Sequence, residues 1–297
     1  MLKNVIALAL IALSATAYAS GKRGPTPDWS HVEKRLSDAG FQKAFIRDLK
    51  KNYDRSKFDQ VLELNTILYL KKANDDIHAK QVSAKVDVEA EVLAFMKQQK
   101  KALKEAEKLY GVSPSHISGL LWLETRHGKN QGKFHVPSVY VHLMQADRPS
   151  VMEYLKKAAG KHTKVDGSIE HEIEERAERK AKWAMGELKA IAEMWKAKKT
   201  VIVGWRGSFA GAFGMAQFIP SSFVAYAKPH KKGRVPDLRR ADDAIMSVAH
   251  YLHKNGWKKR KPETYETALY RYNKSGDYVQ AIMSISRRAD RAPAAKN

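Results

Sequence analysis

Gly207-Ser208-Phe209-Ala210-Gly211-Ala212-Phe213-Gly214-Met215-Ala216-Gln217-Phe218-Ile219-Pro220-Ser221-Ser222-Phe223 is the stretch on which the reading of this chain turns, together with Glu124-Thr125-Arg126-His127-Gly128 upstream. Gly207, Gly211 and Gly214 recur at spacings of four and three, so on a helix they would share one face and let another backbone or a ligand come close. A glycine inside a helix costs about 1 kcal/mol relative to alanine, so a group of them requires a reason. Close helix packing is the plain reason. Ser208 and Gln217 add a hydroxyl and an amide beside the glycines, and Pro220-Ser221-Ser222 reads as a break followed by a new helix start.

Upstream, Ser113 is a natural N-cap, Pro114 suits a first helical turn and Gly128 is a good C-terminal stop, which predicts a helix from Ser113 to near Gly128. Ile117, Leu120 and Leu121 stand seven, four and three residues before Glu124, which places the carboxyl on the apolar stripe of that helix. A carboxyl withdrawn from water has a raised pKa, stays protonated, and is able to donate to a glycosidic oxygen. Glu124 is therefore a candidate general acid. Its plain alternative is a glutamate at the helix edge that reaches solvent or pairs with Arg126 or Lys129.

Outward from these two stretches the pattern is helical. Apolar residues at helical spacing run from His31 to about Asn65, with an interruption at Asn52-Tyr53-Asp54, and again from Val86 to Leu109 and from Ile169 to about Lys199. His171 has no partner at a zinc-binding spacing, so its segment reads as a solvated helix face, and no metal site is expected. The fold class is mainly α. Lys3, the apolar block Val5 to Leu13 and Ala17-Tyr18-Ala19 have the pattern of a secretory signal peptide over 1–19. That block is about half of the roughly 20 residues a membrane span requires, and no later segment replaces it. The absence of cysteine excludes a disulfide framework, a thiol nucleophile and a lipidated cysteine, so a periplasmic or secreted protein without a transmembrane span is expected. A formal charge of +22 favours a polyanionic partner. Nucleic acid is disfavoured, because the basic residues are dispersed along helices without a nucleic-acid-binding motif and export removes the chain from the chromosome. Nothing indicates an obligate partner chain, so a monomer is expected.

Tyr110-Gly111-Val112, Glu124-Thr125-Arg126-His127-Gly128, the glycine-spaced run, Gln217-Phe218-Ile219-Pro220-Ser221-Ser222, Asp243-Ala244-Ile245, Ala249-His250-Tyr251-Leu252, Gly256-Trp257 and Tyr272-Asn273-Lys274-Ser275 form an ordered set. In order and spacing this set resembles the B-type murein lytic transglycosylases, glycoside hydrolase family 103, over roughly Lys104 to Arg287. The resemblance implies a lysozyme-like helical catalytic domain at 104–290. An N-terminal helical region at 20–103 precedes it, a long charged helical insertion interrupts it, and a flexible tail at 291–297 follows. It implies that Glu124 is the acid/base, that Ser208, Gln217, Phe218, Tyr251, Tyr272, Asn273 and Tyr278 line a groove for the substrate, and that the partners are peptidoglycan glycan strands and the anionic cell envelope surface. Read from the residues alone, Tyr251 also fits a core stripe with Ala241, Ile245, Val248 and Leu252, Phe218 also fits simple packing, and Asn273 also fits a helix end. The chain departs from the family at Lys228-Pro229-His230-Lys231-Lys232-Gly233-Arg234, where many members carry an aspartate- and glycine-rich calcium loop; this segment offers almost no oxygen ligands. It departs again at His127, a place usually aromatic.

Glycosidases commonly use two carboxylates, yet no second acidic residue stands at an obvious motif position around Glu124. One group then serves as acid toward the leaving oxygen and as base toward O6 of the same sugar, closing a 1,6-anhydro ring, and no cofactor is required. The alternatives are a hydrolytic muramidase on the same scaffold and a non-catalytic cell-wall-binding protein.

Overall fold

The computed structural model describes residues 24–70, 87–197 and 204–292. The leader expected at 1–19 and residues 293–297 of the expected tail lie outside the described residues. Thirteen α-helices are described: α1 Trp29–Asp38, α2 Lys43–Lys51, α3 Phe58–Thr66, α4 Val88–Gln98, α5 Lys100–Tyr110, α6 Pro114–Thr125, α7 Val136–Leu143, α8 Pro149–Ala159, α9 Gly167–Ala197, α10 Pro220–Tyr226, α11 Ala241–Lys254, α12 Tyr265–Tyr272 and α13 Gly276–Arg291. The only strands among the described residues are β1 Phe134–His135 and β2 Arg206–Gly207, an antiparallel pair in which Phe134 faces Gly207. The mainly α fold read from periodicity is the one observed.

The centre of the molecule is α6. Every residue from Ser115 to Thr125 is buried, so this helix is surrounded on all sides rather than along one stripe. It packs against α13, α4, α5 and α11, and each fully buried leucine or isoleucine on it contributes about 1.5–3 kcal/mol. Ser113 precedes it with extended backbone, but its hydroxyl lies 2.6 Å from His116 Nδ1 and caps no backbone amide. The helix also ends earlier than Gly128. Arg126 and His127 both take positive φ, 50° and 56°, and fold the chain back so that Arg126 N donates to Trp122 O and His127 N to Leu121 O.

The long segment expected between 169 and 199 is α9, continuous over 31 residues. Ile173, Ala177, Ala181, Ala184, Leu188 and Ile191 recur at helical spacing on its buried face, which packs against α7 and α10. The expected helices before it are more broken than periodicity indicated. A turn at Ala39–Gln42 separates α1 from α2, and Gln99 separates α4 from α5.

The basic segment at 228–234 is tied down by a carboxylate of the protein's own, which accepts from it. Asp243, fully buried, accepts from His230 N at 2.8 Å, Asp237 N at 2.8 Å and the Arg234 guanidinium at 3.2 Å. The His230 ring reaches Glu105 at 2.9 Å.

Candidate functional site

The glycine-spaced run is not a helix. Ser208 N donates to Ala212 O, Phe213 N to Phe218 O and Gln217 N to Gly214 O, which makes two tight turns in succession behind β2. Gly211 and Gly214 have φ of 79° and 72°, a region that side chains disfavour. Each also lies where a Cβ has no room: 2.4 Å from the Tyr140 ring at Gly211, and 2.4 Å from Leu238 Cβ at Gly214. Gln217 takes φ 48° without being glycine. Its Nε2 donates to Gly214 O at 2.9 Å and Gln131 O at 3.2 Å, bonds that hold the strained residue in place.

These turns form one wall of a cleft of about 220 Å³ with Glu124 on its floor. Gln217, Phe218, Ile219 and Ser222 line it from the run and the start of α10, and Tyr251, Arg271, Tyr272, Asn273 and Lys274 line it from α11, α12 and the turn after α12. Of the positions expected in the groove, Gln217, Phe218, Tyr251, Tyr272 and Asn273 are brought together around Glu124. Tyr278 stands behind Glu124 and touches it. Ser208 is elsewhere: its Oγ accepts from Ala212 N at 3.1 Å inside the first turn, and it does not line the cleft.

Glu124 is only 4% exposed, and the Tyr278 hydroxyl donates to its Oε1 at 2.6 Å. Burial disfavours the charged form and pushes the carboxyl up to about 8, with the Tyr278 bond pulling in the opposite direction. The group therefore carries its proton at neutral pH. No aspartate or glutamate accompanies it among the residues lining the cleft. The aromatic wall is packed on itself: Tyr251 and Tyr272 meet edge to face at 4.8 Å, Phe218 lies 5.8 Å from Tyr251, and the Tyr272 hydroxyl donates to Ala216 O. Asn273 closes α12, as a helix-ending asparagine does, and also faces the cleft. Its Oδ1 is buried with no hydrogen-bond partner among the described residues. An acceptor left in that state costs about 1–3 kcal/mol, which a ligand N–H or O–H would recover.

Two carboxylates outside the cleft fix its walls, and neither was indicated by a motif. Glu91 on α4 accepts from Trp122 Nε1, Arg126 and Lys129 at 2.7, 2.7 and 2.8 Å, and the Arg126 bond leads the causes that hold Glu91 down at about 2. It anchors the left-handed residues that terminate α6. His127 beside them lies flat on Phe95 at 3.9 Å, with Nε2 3.0 Å from Ser118 O; burial lowers the ring to about 4, so it is a neutral aromatic filler. Glu187 on α9, buried, accepts from Ser221 N and Ser221 Oγ, both at 2.8 Å, and so holds the first turn of α10, which brings Ser222 to the cleft. Ile219, Ser222, Arg271 and Lys274 complete the lining; Ile219, Ser222 and Lys274 stand inside the quoted motifs without having been singled out, and Arg271 adjoins Tyr272, which is the signal by which sequence reasoning could have found them.

With this geometry in hand, likeness to known proteins is specific. A family described as transglycosylase SLT domain matches residues 26–269. Membrane-bound lytic murein transglycosylase B of Escherichia coli (strain K12) is 29% identical over 167 residues, 56% of this chain and 38% of that protein, so the match spans less than half of that relative. Among solved structures, the Escherichia coli lytic transglycosylase Slt35 in complex with bulgecin A superposes with a TM-score of 0.64 at 21% identity, covering 89% of this chain and 93% of that one. SltB3 of Pseudomonas aeruginosa in complex with NAG-anhNAM-pentapeptide gives 0.60 at 15% identity, over 89% and 78%. At these identities the two structures establish a shared fold.

Proposed function

The chain belongs to the transglycosylase SLT domain family, and from that premise we propose that it is a peptidoglycan lytic transglycosylase that cleaves the β-1,4 bond between MurNAc and GlcNAc. The observation that carries the proposal is a lone, buried, protonated carboxyl at the floor of a cleft whose lining offers no second carboxylate.

In this reading Glu124 passes its proton to the glycosidic oxygen as the bond to the MurNAc anomeric carbon breaks. The carboxylate so formed takes the proton of the same sugar's O6 as that oxygen bonds to the anomeric carbon, which yields a 1,6-anhydro end and returns Glu124 to its starting state. No water is consumed. The Tyr278 hydroxyl, already on Oε1, supports the carboxylate during its brief life. Asn273 Oδ1 is placed to accept an N–H from an N-acetyl group, and the rings of Phe218, Tyr251 and Tyr272 give the sugar faces an apolar surface. Ser208 acts further back, by shaping the turn that precedes the one carrying Gln217. No helix among the described residues is long and apolar enough to cross a membrane. The leader pattern at 1–19 supports action in the periplasm or outside the cell.

The test is mass analysis of muropeptides released from purified peptidoglycan. Anhydro ends lighter by one water than reducing ends are expected, and none with Glu124→Gln. Reducing ends alone would make the protein a muramidase. Sacculus binding without turnover by the wild type would make it a wall-binding protein, and equal digestion by the variant would remove Glu124 from the acid role.

A further inference from the structure

The turn beside the cleft is dense in cations, and the exposed carboxylates Glu263 and Glu266 follow it on the next helical segment. Between Asp243 and Glu263 the sequence contains no acidic residue, and Lys254, Lys258, Lys259, Arg260 and Lys261 are all exposed. Among the described residues none of the five joins an ion pair; the nearby carboxylates Glu105, Asp237, Asp242 and Asp243 are matched instead with His230, Arg234, Arg239 and Arg240.

This cationic turn is rigidly displayed. Trp257 is buried beneath it, stacked on Tyr265 at 3.7 Å, with its indole N–H donating to Gly111 O at 3.0 Å. Lys258 N donates to Thr264 Oγ1, Lys261 N donates to Lys258 O, and the stem of Lys259 packs over Gly111. The turn is also continuous with the cleft. The Arg271 guanidinium, at the cleft mouth with Lys274, donates to Asn255 O at 2.9 Å, and the Tyr251 hydroxyl donates to Arg271 O. A line of cations therefore leads from the mouth of the cleft onto the turn.

We infer that this line, from Lys274 and Arg271 to Lys258, Lys259 and Lys261, is a docking track for the carboxylate-bearing peptide stems of the glycan strand outside the sugar pair being cleaved. The inference rests on the glycan-cleaving reading of the cleft. Spread, solvated cations make a poor site for a small ion, because one exposed pair is worth little, but a polymer with carboxylates at intervals engages several at once. Continuity with the cleft favours the substrate polymer over an anionic bilayer. The turn itself exposes no large apolar side chain; the exposed apolar residues near the line are Leu109 and, beside Arg271, Tyr270.

The test is a triple variant of the full chain, Lys258→Gln, Lys259→Gln and Lys261→Gln, on exposed positions that leave the backbone bonds of the turn intact. Digestion is measured at low salt on native sacculi and on sacculi whose carboxylates have been capped by amidation. On native sacculi KM is expected to rise about tenfold in the variant with kcat unchanged, and the difference is expected to vanish on amidated sacculi and in high salt. Equal KM for wild type and variant on native sacculi would overturn the track, as would an equal loss on both substrates. Loss of binding to phosphatidylglycerol vesicles with KM unmoved would assign the turn to a bilayer instead. If the wild type digests neither substrate, it is the cleavage reading that fails. Sedimentation with sacculi then decides the track: weaker binding by the triple variant supports it and equal binding refutes it.

Discussion

Glu124→Gln is expected to make this protein more stable, by an amount that depends on pH in a calculable way. Burial lifts the carboxyl from 4.5 to about 8. Between those values the unfolded chain has released the proton while the folded chain still holds it, so the native state binds more protons. Stability then falls by about 1.36 kcal/mol for each pH unit. The cost is absent below pH 4.5, reaches about 3 kcal/mol at pH 7, and levels off above pH 8. Glutamine keeps the shape of the protonated carboxyl and an acceptor for the Tyr278 hydroxyl, yet has no proton to lose on unfolding. Urea unfolding of wild type and variant at pH 4.5, 6, 7 and 8 measures the gap, and all other titrating groups cancel in the difference. A gap near zero at pH 4.5 that widens to about 3 kcal/mol at pH 7 is expected, a large share of the roughly 5–15 kcal/mol of an ordinary domain. A gap that stays flat across this range, or a less stable variant at pH 7, would refute the claim that Glu124 is held protonated by burial.

Tyr278→Phe removes the bond that favours the Glu124 carboxylate, so the alkaline limb of the activity profile should move upward by at least about 1 pH unit, from roughly 1.5–3 kcal/mol for a hydrogen bond to a charged group; an unmoved limb would show that the bond does not support the anion. Gly211→Ala puts a methyl 2.4 Å from the Tyr140 ring at φ 79° and should cost at least about 2 kcal/mol, which thermal unfolding reads directly and an unchanged midpoint would contradict. Glu187→Ala removes the acceptor of the part-buried Ser221 amide and hydroxyl and should cost about 1 kcal/mol while raising KM, since Ile219 and Ser222 move with α10; a variant with wild-type stability and KM would remove Glu187 from its positioning role.

What was legible in the sequence is what periodicity and chemistry encode locally. Three apolar residues at helical spacing placed Glu124 against the interior, and the structure buries it there. The aromatic and amide residues of 217–218 and 272–273 are adjacent in sequence, so recognising one marked its neighbour. The conformation of 207–217 was not legible, because spacings of four and three are shared by a helix face and by successive left-handed turns. What distinguishes them is whether a Cβ fits, and that depends on Tyr140 and Leu238, both remote in sequence. For the same reason Ser208, a plausible sugar ligand by type, turned out to serve its own turn. Glu91 and Glu187 carried no signal at all, since their partners are separated from them by 31 or more residues.

Glu91 has a practical consequence for anyone wishing to trim or transplant this fold. Its three donors, Trp122, Arg126 and Lys129, sit at the exit of the helix that bears the acid, whereas Glu91 itself belongs to α4. A fragment begun at Lys104 would inherit the acid and the aromatic wall of the cleft. It would lose the clasp on Arg126 and the Phe95 surface under His127, and with them the reason for two consecutive non-glycine residues to remain left-handed. Any minimal version of the cleft-bearing unit must therefore start no later than α4, or supply a substitute clasp of its own.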